Sequence, residues 1–135
     1  MTDPLKLAGK DADDLQVISA MIQDALVPLA DVAFLADEQR FVLALNRYRW
    51  NDRKEQTRTH AILSFQQVQR VQSKGLSRRD PDKMLSLLGV TGENDIIQLE
   101  FSENGTIRLI VAAIDCQLID VGEPWPAAST PAHPD

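Results

Sequence analysis

In several segments from Val32 onward, apolar residues return at every second position, and this two-residue period constrains the fold more than any other feature of the chain. Phe41, Leu43 and Leu45 fall on one side of an extended segment over residues 40–50, and Val42 and Ala44 fall on the other. Both sides start apolar, so this strand is expected to be covered on both faces at that end. A shorter strand over 32–35 precedes it, with 36–39 as the hairpin connection. Residues 51–56 are polar and read as a loop. A strand over 57–65 follows, with Ala61, Leu63 and Phe65 on one side, and a bulge or turn at Gln66 and Gln67 leads to a further strand reaching Lys74. Residues 96–101 and 106–111 alternate again across Glu103-Asn104-Gly105, and Asn-Gly is the strongest short hairpin signal in the chain.

Two segments have a different period. Leu15, Ile18, Met21, Ile22 and Ala25 share one face at three- and four-residue steps, which predicts a helix from Asp11 that ends before Pro28. Asp11 or Asp13 caps it, and Asp14 suits the positive end of its dipole. Asp80-Pro81-Asp82 followed by Met84, Leu85, Leu87, Leu88 and Gly89 predicts a second, short helix. Residues 1–10 have no clear period. Residues 112–121 fit either a strand (Ile114, Cys116, Leu118) or a helix (Ile114, Leu118, Val121), and the strand is preferred as a continuation of the sheet. The expectation is therefore an α+β fold: an N-terminal helix plus a mostly antiparallel curved sheet or small open barrel of about seven strands, of pleckstrin-homology type, with a short inserted helix. Residues 1–121 form the single domain. Residues 122–135, which hold four of the seven prolines, form an extended or disordered tail.

No apolar run approaches the roughly 20 residues that span a bilayer, and the N-terminus lacks the charge and apolar stretch of a secretory signal. The lone Cys116 has no disulfide partner within the chain, so the expected location is the cytoplasm and the expected role of Cys116 is a core residue. His60, His133 and Cys116 lack metal-binding spacing. No serine lies in a nucleophile turn, and Gly89-Val90-Thr91-Gly92 leaves the expected helix instead of opening one. These patterns give no catalytic residue, no metal and no cofactor. Asp11, Asp13 and Asp14 read as helix caps.

Charge supplies the one functional cue. The chain carries −6 overall, yet residues 40–83 hold 11 of the 14 Lys and Arg against 4 of the 20 Asp and Glu, a net +7, which leaves −13 on the rest. Within that segment Arg47, Tyr48, Arg49, Trp50, Arg53, Arg58 and His60 interleave cations with aromatic rings, a combination that grips carboxylates or phosphates and stacks on flat groups. Arg47, Arg49, Trp50, Arg53, Arg58 and His60 are the binding candidates, and Arg78 and Arg79 extend the patch. The plain alternative is a solvated strand end whose cations pair with acids of the same chain. The leading expectation is a non-enzymatic binding module for an acidic protein, compatible with homo-oligomer formation. The alternative is an enzyme or sensor for a small anionic ligand, with His60 or Cys116 beside the arginines. Nucleic acid fits the negative total charge poorly.

Asp14-Leu15-x-x-Ile18-Ser19-Ala20, Leu45-Asn46-Arg47-Tyr48-x-Trp50, Ser73-Lys74-Gly75-Leu76, Leu85-Ser86-Leu87-Leu88 and Asp120-x-Gly122-x-Pro124-Trp125 occur in this order along the chain. With them the sequence resembles the domain of unknown function 2948 family of small bacterial proteins. The resemblance implies a bacterial, intracellular origin. It brings no activity, ligand or site residue.

Overall fold

The structure, a computed structural model, describes residues 4–49, 57–76 and 82–126. The ten strands among them are β1 (Lys6–Gly9), β2 (Ala25–Pro28), β3 (Val32–Leu35), β4 (Arg40–Tyr48), β5 (Thr57–Phe65), β6 (Val68–Lys74), β7 (Met84–Glu93), β8 (Ile96–Phe101), β9 (Thr106–Val111) and β10 (Cys116–Pro126). One α-helix is described, α1 (Ala12–Met21), between β1 and β2. The strands form a single antiparallel sheet in the order β1-β10-β5-β4-β2-β7-β8-β9-β6, and β3 continues along β4 beside the end of β2. The sheet stays open, with β1 and β6 at the ends of the path.

Alternation sends one face of every strand inward. Leu43, Leu63 and Leu118 stand in one cross-strand row, and Phe41, Phe65 and Cys116 in the next, all buried. On the other half of the sheet Leu85, Leu87, Val90, Ile97, Leu99, Phe101, Ile107 and Leu109 face the same core. The chain crosses between halves at Gln66 and Gln67. Phe65 still pairs with β4 and β10, whereas Val68 begins a strand that pairs with β9, and Gln67 turns the corner at φ 56°. α1 closes the core by burying Leu15 and Ile18, and Ile22 just after it is buried too. Asp11 caps the helix by accepting the Asp14 N–H at 2.8 Å, and Ser19 accepts the Val90 N–H at 3.0 Å, which ties the helix to β7.

Four expectations need correction. The first helix stops at Met21, because Asp24 takes a left-handed conformation and Ala25–Pro28 becomes β2, with Ala25 and Val27 buried between β4 and β7. The second helix is strand β7. Met84 to Leu87 alternate out and in as well as they fit a helical face, and neighbours on both edges supply the backbone hydrogen bonds that decide the matter. A bulge between Leu87 and Gly89 turns Leu88 outward and resets the alternation at Val90. The described strands number ten where about seven were expected, since β1, β2 and β7 lie where no strand was expected. Finally, the sheet runs past residue 121: Gly122, at φ 78°, kinks β10 so that Trp125 and Pro126 still pair with Arg58 and Thr57. The remainder of the expected tail, 127–135, and the Asp80-Pro81 helix start lie outside the described residues.

The Asn-Gly hairpin joins β8 to β9 as expected, although the two left-handed positions are Glu103 and Asn104, at φ 60° and 62°, and Gly105 already belongs to the return path. Within 112–121, the preferred strand is the one formed, as the start of β10 from Cys116.

Leu15 is fully buried at the point where the helix meets Gly92 of β7. Leu15→Ala should therefore lower the unfolding free energy by about 2–5 kcal/mol in urea titrations, whereas the exposed Val17→Ala should stay within about 0.5 kcal/mol.

Candidate functional site

Along β4 the two faces diverge in character after Leu45. The inward face continues from Phe41, Leu43 and Leu45 to Arg47 and Arg49, and both arginines are buried, Arg47 with 0% of its surface exposed. Asp120, on the inward face of β10 beyond Cys116 and Leu118, receives Arg47 in a two-pronged contact. Nε donates to Oδ1 and Nη2 donates to Oδ2, each at 2.7 Å. The Leu5 N–H donates to the same Oδ2 at 2.9 Å, and the Asp120 N–H donates back to the Leu5 carbonyl, so the chain ahead of β1 is clamped onto the pair. Arg49 Nη1 lies 3.3 Å from the Thr57 hydroxyl, and its backbone N–H donates to the Thr57 carbonyl. Thr57 and Thr59 are buried beside them. This inner polar end is a structural lock joining β4, β5, β10 and the segment at Leu5.

The opposite face carries the other candidates. Arg58 is half-buried and donates from Nη1 to the Asn46 carbonyl at 3.2 Å. Burial draws its pKa down, and the nearby Asp24 and Tyr48 partly offset that. His60 is exposed, in a row with Leu26, Asn46 and Val121. The next row holds Ala44, Ile62, Ile119 and Lys6, and the one after it holds Val42, Ser64, Gln117 and Ala8. The outer face of β4, β5 and β10 is thus an apolar strip with Lys6, Arg58 and His60 around it, and Val121 is 41% exposed. On this face Tyr48 and Ser64 are buried and Val42, Ala44, Ile62 and Ile119 are half-buried, and the turn at 29–31 borders it beside β4. Trp50, Arg53, Arg78 and Arg79 lie outside the described residues.

The structure separates residues that stand together in the sequence. Arg47 and Arg49 face the core, Arg58 and His60 face outward, and no single patch holds all four. The partner missed from the sequence is Asp120. Its signal was available: Arg47 continues the parity of Phe41, Leu43 and Leu45, and an arginine on a core face requires a buried carboxylate, which Asp120 supplies on the parity of Cys116 and Leu118. Cys116 is sealed in the core, where burial first and Asp115 second push its thiol up from 9.0 to about 11. Among the described residues no group of three His, Cys, Asp or Glu side chains is placed to hold a metal ion, and no helix is long and apolar enough to cross a membrane.

Removing one partner of the buried pair leaves the other charge stranded. Asp120→Ala should cost about 3–5 kcal/mol in urea denaturation, and the double change Arg47→Met with Asp120→Leu should recover most of that loss. For Cys116 the native thiol keeps its proton to higher pH than the unfolded one. Its contribution to stability is whole below about pH 9 and falls as pH rises towards about 11. Melting temperature should therefore drop less over that interval in Cys116→Ala than in the parent protein, and alkylation of the native thiol at about pH 8 should be slow.

Comparison with known proteins adds one relationship. No curated protein and no solved structure matches the chain. The family model described as protein of unknown function (DUF2948) matches residues 5–133, which takes in every described strand, the helix and both partners of the buried ion pair. On that coverage the chain belongs to the DUF2948 family.

Proposed function

We propose that the protein is a non-enzymatic binding module that meets an acidic partner through the outer face of β4, β5 and β10. The observation that supports this reading is the split of cations across the sheet. Arg47 is engaged by Asp120 inside, while Lys6, Arg58 and His60 stand outside around Ile62, Ile119 and Val121. An apolar centre with a charged rim is the usual composition of a protein contact surface, and the rim sets charge preference and encounter rate. A curved antiparallel sheet of pleckstrin-homology type suits such a role, because it offers a rigid face without a deep cleft. The rival reading, an enzyme or sensor for a small anion, calls for Arg47 and Arg49 around one pocket with His60 or Cys116. His60 stands on the opposite face from both arginines, and Cys116 is fully buried with a raised pKa.

A peptide array of acidic and neutral sequences, probed with the purified protein, tests the reading. Acid-rich peptides with an apolar centre should retain the protein, and retention should collapse between about 0.1 M and about 1 M salt, as the screening length falls from about 10 Å to about 3 Å. Lys6→Glu with Arg58→Gln should lower retention at least about threefold. Equal retention by this variant and the parent protein, or retention indifferent to salt, removes the proposal.

A further inference from the structure

Among the described residues, three strands present a free edge, and they are protected unequally. β6 carries Arg70 and Lys74, both exposed, and β1 is four residues long with Lys6 exposed. Charges of this kind keep a sheet edge from pairing with another chain. β3 is as short as β1 but carries no charge: its sequence is Val-Ala-Phe-Leu, it pairs with β4 alone among the described strands, and Phe34 and Leu35 are 37% and 38% exposed. Beside it on the outer face lies a groove of about 360 Å³, floored by Ala33, Leu35, Val42, Ala44 and Ile62. Asp31 stands at one end, exposed, and Arg40 at the other, its Nε buried with no hydrogen-bond partner among the described residues. Arg40 as a whole is half-buried, and the accessible part of its guanidinium beside an apolar groove favours a docked surface that supplies a carboxylate.

The chain itself supplies that carboxylate. We infer that β3 pairs antiparallel with β3 of a second copy, on a two-fold axis at Ala33, so that Asp31 of each copy meets Arg40 of the other. Side chains that pair across antiparallel strands share a face, so only registers that join residues of equal parity keep the two outer faces continuous. Centring on Ala33 sets Asp31 opposite Leu35 of the second copy, and Leu35 is the β4 neighbour of Arg40. The Asp31 and Arg40 backbones then lie about 10 Å apart, two strand spacings, which their side chains span. Centring on Phe34 instead sets Asp31 against Asp37 of the other copy, a like-charge pair that disfavours that register. In the favoured register the groove of one copy runs on into that of the other, and each Arg40 gains an acceptor. The contact is isologous, as two-fold dimers require. It is a separate surface from the one proposed for an acidic partner and needs no such partner to be measured.

Sedimentation equilibrium of the full chain from about 1 μM to about 1 mM reads the inference directly. The parent protein should dimerise within that range, and Asp31→Lys and Arg40→Glu, each alone, should weaken the dimer at least about tenfold, since each sets like charges together. Mixing the two variants restores both contacts: the introduced lysine of the first meets the introduced glutamate of the second, and the native Arg40 of the first meets the native Asp31 of the second. An equimolar mixture should therefore form a heterodimer while neither variant self-associates. Ala33→Arg, at an exposed position on the axis, should abolish the dimer with unchanged far-ultraviolet circular dichroism, and it serves as the readout if a charge variant fails to fold. A monomeric parent protein up to about 1 mM, a mixture that stays monomeric, or an Ala33→Arg variant that dimerises like the parent would overturn the inference.

Discussion

The ion pair between Arg47 and Asp120 organises one end of the molecule. It reaches from β4 to β10 across β5, and the Leu5 backbone closes onto the same carboxylate, so stretches distant in sequence meet at one charge-assisted contact. Such a pair adds little net stability, because desolvation of both charges offsets their attraction. Its larger effect is on register. A slip of one residue in β4 would turn Arg47 to the outer face and expose Phe41, Leu43 and Leu45, leaving Asp120 buried without its cation. Apolar burial and ionic pairing therefore specify the same alignment, and that agreement is what makes the register unique.

The rest of the core depends on how far the sheet curls. The one described helix is too small to cover it, so the sheet folds round its own apolar face. The corner at Gln66 and Gln67 carries the chain from one half to the other, β2 bridges the halves between β4 and β7, and the helical segment fills the remaining gap with Leu15, Ile18 and Ile22. This arrangement also explains why β7 is a strand. A helix there would leave β2 and β8 without a neighbour in the middle of the sheet and strip hydrogen bonds from both.

Beyond the core face, the described residues present an outer face and three strand edges without a neighbouring strand. Their chemistry differs by region: a cation-rimmed apolar strip over β4, β5 and β10, charged edges at β1 and β6, and an apolar edge at β3 flanked by one acid and one arginine. The inferred pairing at β3 would place two outer faces on one continuous sheet, and two linked copies of the proposed site would hold a repetitive partner more firmly than either alone.

Several local pieces were legible from the order of residues: the alternation of β4, β5, β8 and β9, the helix opening capped by Asp11, and the hairpin at Asn104. In each, short-range periodicity and turn chemistry act within a few residues. The clustering of cations in the middle of an acidic chain was legible in the same way. Where those cations point, and which short apolar runs become strands, depended on the folded molecule. Residues 6–9, 25–28 and 84–93 are too short or too ambiguous in period to declare a conformation, and neighbours far along the chain impose one through backbone hydrogen bonds. Arg47 and Arg49 read as a surface patch until Asp120, 73 residues beyond Arg47, is brought beside the first of them. A charge is buried or exposed according to its partner in space, and sequence proximity carries no record of that partner.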